Sequence, residues 1–223
     1  MLNYETNKMF YKKYLYKLDI RNSLAYSFRE KNFTLARNTL DILQKDLEAK
    51  RPLDLQRGLR KQRISTNALY DGQKLLNIFT TFEGDFKLRV HYNSMSIYSN
   101  NEDWLFKISK LITKESLVAF HSPNPNYKQY LNEKTILIEN DIGYTYKVTL
   151  GKKAGDPSFA LWADKNTKQV KLGPILRQTL LDRGYVDNMY FYARDEKTLQ
   201  LCNLMLSNIR SVDKLVVKAN LDK

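Results

Sequence analysis

Tyr14, Tyr16, Leu18 and Ile20 alternate with Leu15, Lys17 and Asp19 near the start of the chain, the two-residue period of a strand with one buried face. Residues 34–49 switch to helical spacing, with Leu35, Thr39, Ile42, Leu43 and Leu47 in phase, and Pro52 stops that run. Ser65-Thr66 can cap a second helix carrying Leu69, Leu75, Leu76, Ile78 and Phe79. Alternation returns after Gly84-Asp85 with Leu88, Val90 and Tyr92, turns at Asn93-Ser94, and comes back over residues 95–99. Asn100-Asn101 then caps a helix through Trp104, Leu105, Ile108, Leu111 and Ile112, and residues 117–120 form a last strand. The order is β-α(α)-β-β-α-β.

The same order recurs downstream. Residues 144–150 read as a strand, 157–164 and 172–183 as helices, 184–186 and 189–194 as strands, 196–208 as a helix and 212–218 as a strand. Local matches run in step with it. Tyr14-Leu-Tyr16-Lys17-Leu18-Asp-Ile20 reads against Tyr144-Thr-Tyr146-Lys147-Val148-Thr-Leu150. Phe28-Arg-Glu30-Lys31-Asn32 reads against Trp162-Ala-Asp164-Lys165-Asn166, and Met95-Ser-Ile97-Tyr98 against Met189-Tyr-Phe191-Tyr192. Three blocks in one order, with their apolar positions in phase, predict an internal duplication of domain length. The expected fold is α+β, two ferredoxin-like βαββαβ units with antiparallel sheets and helices on one face. The first unit covers 1–121 and carries a basic helical insertion at 50–80. A linker with Pro123 and Pro125 spans 122–142, with an added strand expected at 136–138, and the second unit covers 143–223.

A one-residue step along a strand changes the face, so alternation also sorts the side chains. Tyr14, Tyr16, Leu18, Ile20, Leu88, Val90, Met95, Ile97, Val148, Leu150, Met189 and Phe191 go to the helix side. Lys17, Lys87, Arg89, His91, Tyr98, Lys147, Tyr190, Tyr192 and Arg194 go to the other. Cations and rings interleaved on an open sheet form a platform on which bases stack and phosphates are neutralised. The same residues would form an interdomain core if the two sheets packed together.

Charge strengthens the first of these readings. The chain has 223 residues and a formal net charge of +13. Residues 1–121 hold 21 Lys and Arg against 13 Asp and Glu, and residues 122–223 hold 16 against 11, so the excess is spread over both halves. A basic surface of this kind attracts polyanions, of which RNA and single-stranded DNA are the expected partners. The densest cluster is Lys50, Arg51, Arg57, Arg60, Lys61 and Arg63, opposed by Asp54 and without a counterpart in the second copy. Arginine forks match phosphate geometry, and binding through such a cluster falls steeply with salt.

Other chemistry is sparsely represented. The single cysteine, Cys202, lies among leucines and reads as a small buried hydrophobe; alone it can form neither an internal disulfide nor a cysteine-rich zinc site. Two histidines, His91 and His121, are too few for a histidine-rich metal centre but are the candidates for acid–base work in a metal-independent ribonuclease. Asp85-Phe86-Lys87, with Asp71 upstream, has an acid-x-lysine spacing used by nucleases, in a topology that does not suit it. No phosphate-binding loop, dinucleotide fingerprint or serine-hydrolase elbow occurs. No uncharged apolar run reaches the roughly 18 residues of a membrane span, and the first 17 residues lack a signal-peptide core. The expectation is therefore a cytoplasmic, non-enzymatic RNA or single-stranded-DNA binder with no cofactor or metal. The alternatives are a small ribonuclease or a structural protein of phage or viral assembly. Abundant Lys, Asn, Tyr and Ile suit an AT-rich genome, a phage among them, and then the compartment is the host cytoplasm.

Overall fold

The computed structural model describes residues 1–57 and 60–221, with the backbone alone at Arg57 and Arg60. The chain divides into two compact units, 1–124 and 125–223. Among the described residues each unit has a five-stranded sheet with helices and its own apolar core, so the class is α+β.

The first unit contains β1 (Leu2–Glu5), β2 (Tyr16–Arg21), a kinked 3-10 segment (Ala25–Lys31) and α1 (Phe33–Glu48). Then come β3 (Asp54–Arg57), β4 (Arg60–Arg63), α2 (Thr66–Thr80), β5 (Phe86–His91), β6 (Ser94–Ser99), α3 (Glu102–Leu111) and β7 (Leu117–Ser122). The sheet order is β1-β7-β2-β6-β5. Side chains of Asn32, Ser65 and Asn101 accept from the backbone N–H groups of Leu35, Ala68 and Trp104, so each helix starts where a free donor finds a polar side chain. Alternation in β2 buries Tyr16, Leu18 and Ile20 against Phe28, Leu40, Leu43, Leu69 and Leu105.

The second unit contains β8 (Thr135–Ile138), β9 (Tyr146–Leu150), β10 (Lys153–Ala154), α4 (Pro157–Lys165), β11 (Val170–Leu172) and α5 (Pro174–Leu181). It ends with β12 (Tyr185–Val186), β13 (Tyr190–Ala193), α6 (Glu196–Met205) and β14 (Ile209–Val217). Its sheet order is β11-β13-β9-β14-β8. Val148, Leu150, Phe191 and Ala193 close the core with Phe159, Leu176, Leu180 and Cys202. Burial pushes the Cys202 thiol up to about 11, so it serves as packing volume.

Cross-strand registers coincide in the centres of the two sheets. Leu18 lies opposite Ile97 and Phe120; Val148 lies opposite Phe191 and Val212. Lys17 lies opposite Tyr98 and His121; Lys147 lies opposite Tyr192 and Asp213.

The structure departs from the sequence expectation at four places. The sheets are mixed rather than antiparallel, because β1 pairs parallel to β7 and β8 parallel to β14. The strand expected at 136–138 forms, as Thr135–Ile138, but it is paired into the second sheet, so the segment read as linker belongs to the second unit. In the second unit the outer strand beside β13 is Val170–Leu172, which precedes α5, whereas Tyr185–Val186 pairs with β10 in a ladder of its own. In the first unit the strand at that position, β5, follows α2. The basic insertion, finally, is not wholly helical: β3 and β4 form an antiparallel hairpin ahead of α2.

Candidate nucleic-acid interface

The hairpin is anchored at its base. Leu53 and Ile64 are buried, and the Ile64 N–H donates to the Leu53 carbonyl at 2.8 Å. Beyond that base Asp54 faces Arg63, Leu55 faces Gln62, Gln56 faces Lys61 and Arg57 faces Arg60. Asp54 lies 3.1 Å from the Lys61 ammonium and 3.6 Å from the Arg63 guanidinium, whose side chains are 69% and 70% exposed. The Asp54 side chain is only 18% exposed, but the cations themselves stand in solvent and remain accessible to a polyanion. Arg51 is drawn back to Asp46 at 2.7 Å, and Lys50 is exposed just after α1. The side chains of Arg57 and Arg60 lie outside the described residues.

Beside the hairpin runs a groove of about 760 Å³ lined by Tyr26, Arg29, Gln56, Val90, His91 and Tyr92. Gln62 of the hairpin reaches Asn93, in the β5–β6 turn, at 3.4 Å. The hairpin cations and this groove are thus parts of one first-unit surface. Arg29 sits 5.9 Å from the Tyr26 ring, and His91 meets the Tyr92 ring edge-on at 4.5 Å. Tyr26, Arg29 and Tyr92 are not among the candidate site residues that the sequence supplies. Phe28-Arg-Glu30-Lys31-Asn32 stood out as a repeat block, and nothing in its pattern marked it as the wall of a groove.

The outer face of the first sheet is not the open platform expected. Tyr98 is 4% exposed, with Phe10 at 5.4 Å, Tyr11 edge-on at 5.0 Å and Tyr14 at 6.4 Å. Lys17 lies 5.9 Å from the Phe10 ring and Lys87 4.6 Å from the Tyr11 ring. The N-terminal segment thus places its own rings where bases were expected, held by cation–π and edge-to-face contacts. Arg89 of β5 stays exposed.

The matching face of the second unit is barer. Tyr190 is 44% exposed, Tyr192 is half-buried, and the two rings meet at 5.5 Å. The Lys147 ammonium lies 3.8 Å from the Tyr190 ring centre. Lys171, Tyr192 and Lys147 stand side by side across β11, β13 and β9, and Arg194 is exposed beyond the end of β13.

The acid–base candidates are separated. His91 lines the groove. His121 lies beneath Tyr4, stacked at 5.0 Å, with Phe10 edge-on at 6.0 Å, and its Nε2 is 2.9 Å from Asp19. Asp19 also receives the Lys17 ammonium at 2.6 Å and the Ser96 hydroxyl at 2.5 Å. Burial, helped by Lys17, holds the imidazole below its ordinary range despite the opposing pull of Asp19. His121 therefore donates a neutral N–H to a carboxylate that Lys17 already balances. Asp71 is fully buried, accepting from the backbone and hydroxyl of Thr113 and from Ser116, and Asp85 is tied to Lys13 and Tyr14. The two acids of the acid-x-lysine reading are thus engaged in holding turns and termini. Among the described residues no three His, Cys, Asp or Glu side chains are grouped as metal ligands, and no helix is long and apolar enough to cross a membrane.

No protein-family model matches this chain, and comparisons with curated proteins and with solved structures find no match.

Proposed function

We propose that the chain binds single-stranded nucleic acid, RNA or DNA, without cleaving it, and that it is built from two duplicated ferredoxin-like units acting in the cytoplasm. The observation that carries the binding reading is the exposed basic hairpin standing beside a groove walled by Arg29, Tyr26, His91 and Tyr92. Exposed cations and accessible rings on one surface are what an unpaired strand requires. Lys147, Tyr190, Tyr192 and Arg194 on the second sheet offer the same chemistry again. The duplication reading draws on the coincident registers, Lys17–Tyr98 with Lys147–Tyr192 and Leu18–Ile97 with Val148–Phe191. Binding is favoured over cleavage because His121, the imidazole with a carboxylate partner, lies beneath Tyr4 and Phe10.

Fluorescence anisotropy with a labelled 20-nucleotide strand, titrated at several salt concentrations, tests this. Each phosphate neutralised contributes a slope of about −0.7 in log K against log salt for single strands. Replacing Arg57, Arg60, Lys61 and Arg63 by Ala should weaken binding and flatten the slope by up to roughly 3, if each cation meets one phosphate. Folding should change by less than about 0.5 kcal/mol per substitution, as is usual for surface positions. An identical slope and affinity in the quadruple variant would remove the hairpin from the interface and favour a structural role for the charge.

A further inference from the structure

The groove beside the hairpin does not end at Arg29. A second recess of about 470 Å³ follows the same strand, lined by Arg29, Lys31, Phe86, Lys87 and Val90. Arg29 and Val90 belong to both recesses, so Arg29 marks the divide between two compartments along β5, the edge strand of its sheet. Both volumes fall in the range of about 300–1,000 Å³ usual for small-ligand clefts.

Their chemistry is asymmetric in a useful way. The larger compartment has two accessible rings, Tyr26 at 46% and Tyr92 at 77% exposed. The smaller holds the Lys31 ammonium, which covers the Phe86 ring at 3.8 Å, whereas Lys87 lines it with its stem and turns its ammonium to the Tyr11 ring at 4.6 Å. The acid on this rim, Glu30, is itself 81% exposed and meets Arg29 at 3.4 Å, a contact that solvent screens. Three non-glycine residues of the two compartments have left-handed backbones: Glu30 at φ 58°, Lys31 at 57° and Tyr92 at 52°. Such conformations are costly for residues with a Cβ, persist where the surroundings impose them, and gather at ligand sites.

We propose that this double groove binds a dinucleotide step of single-stranded nucleic acid. The unstacked base occupies the Tyr26–Tyr92 compartment, the linking phosphate is forked by Arg29, and in a longer strand the phosphate leading to the following nucleotide is met by Lys31. The inference rests on the binding function proposed above and gives it a minimal ligand. A guanidinium suits the middle position because it pairs with two phosphate oxygens at once, which an ammonium cannot do. The chemistry is common to RNA and DNA.

The test uses the full chain, titrated by NMR with the dinucleotides UpU and dTpdT, and with dTpdT carrying a neutral methylphosphonate linkage. Charged dinucleotides should shift the resonances of Tyr26, Arg29, Val90, His91 and Tyr92. The neutral linkage and Arg29→Lys should each weaken binding at least tenfold, and Tyr26→Leu several-fold. A stronger response to UpU than to dTpdT makes RNA the source, and the reverse makes it DNA. Arg29→Lys keeps the charge of an exposed side chain, so loss of binding through misfolding is checked by its unchanged spectrum elsewhere. If the dinucleotides leave these residues unmoved while the 20-nucleotide strand still binds with a hairpin-dependent salt slope, the groove proposal fails and the binding function stands. If neither ligand binds, both fall. Equal affinity for the charged and neutral linkages overturns the role of Arg29.

Discussion

Tyr92 carries a large exposed ring on a backbone that glycine or asparagine would adopt more cheaply. Tyr92→Asn should leave stability unchanged or raise it by up to about 1 kcal/mol, the cost of a left-handed residue. It should also weaken single-strand binding by about 1–3 kcal/mol, the worth of one stacked base. A thermal melt and a binding isotherm on the same variant separate the two effects, and unaltered affinity would place the ring outside the interface. Tyr98 should behave in the opposite way. Its ring is buried under Phe10 and Tyr11, so Tyr98→Ala should cost on the order of 3–5 kcal/mol, as deletion of a large buried aromatic does. A third residue gives a pH signature. The folded state holds His121 below the 6.5 of a free imidazole, so between that value and the lower folded one the unfolded chain binds more protons. Stability from this site is intact above pH 6.5 and is lost as pH falls through the window. Melting temperatures recorded from pH 7 to pH 5 should therefore drop more steeply for the wild type than for His121→Asn.

At the scale of elements, the hairpin is tuned by one carboxylate. Asp54 pairs with Lys61 and Arg63, so Asp54→Asn should release both and raise polyanion affinity two- to five-fold at low salt, an effect of about 0.5–1 kcal/mol. Anisotropy at low and high salt checks it, and an increase that survives high salt would point to a cause other than charge. Asp54, Leu55, Gln56 and Arg57 contain one apolar residue, so no two-residue hydrophobic period exists to read; the anchors, Leu53 and Ile64, flank the strands instead. The strand Val170–Leu172 was hidden differently, because Leu172, Leu176 and Leu180 fall at helical spacing and carry the helix pattern across Gly173-Pro174. That dipeptide was a legible signal: proline at the first helical position follows a break. β1 gave none, since its four side chains are all exposed and its pairing depends on a partner more than a hundred residues away. By contrast α1, α2, α3 and α6 are legible because local caps and periodic apolar residues agree at each of them. The candidate interface is legible in its charges and not in its shape, because a groove wall made by a kinked turn such as Ala25–Lys31 has no period.

At the scale of the whole molecule, the two apolar clusters share no residue: one centres on Leu18, Phe28 and Leu69, the other on Val148, Phe159 and Phe191. A chain with two cores need not melt as one cooperative unit. We therefore expect two calorimetric transitions. Leu18→Ala should destabilise the first unit by about 2–5 kcal/mol and leave the second transition in place, and Phe191→Ala should lower the second by about 3–5 kcal/mol and spare the first. The same variants test where the proposed binding surface lies. The hairpin and the double groove both lie within residues 1–124, so they depend on the core that Leu18 supports. At a temperature where Phe191→Ala has melted only the second unit, dinucleotide shifts at Arg29 and Tyr92 should persist, while any contribution of Tyr190 and Tyr192 to binding of the longer strand should vanish. Loss of both signals together, or a single transition moved equally by the two substitutions, would show that the cores are energetically coupled and that the groove is not a property of the first unit alone.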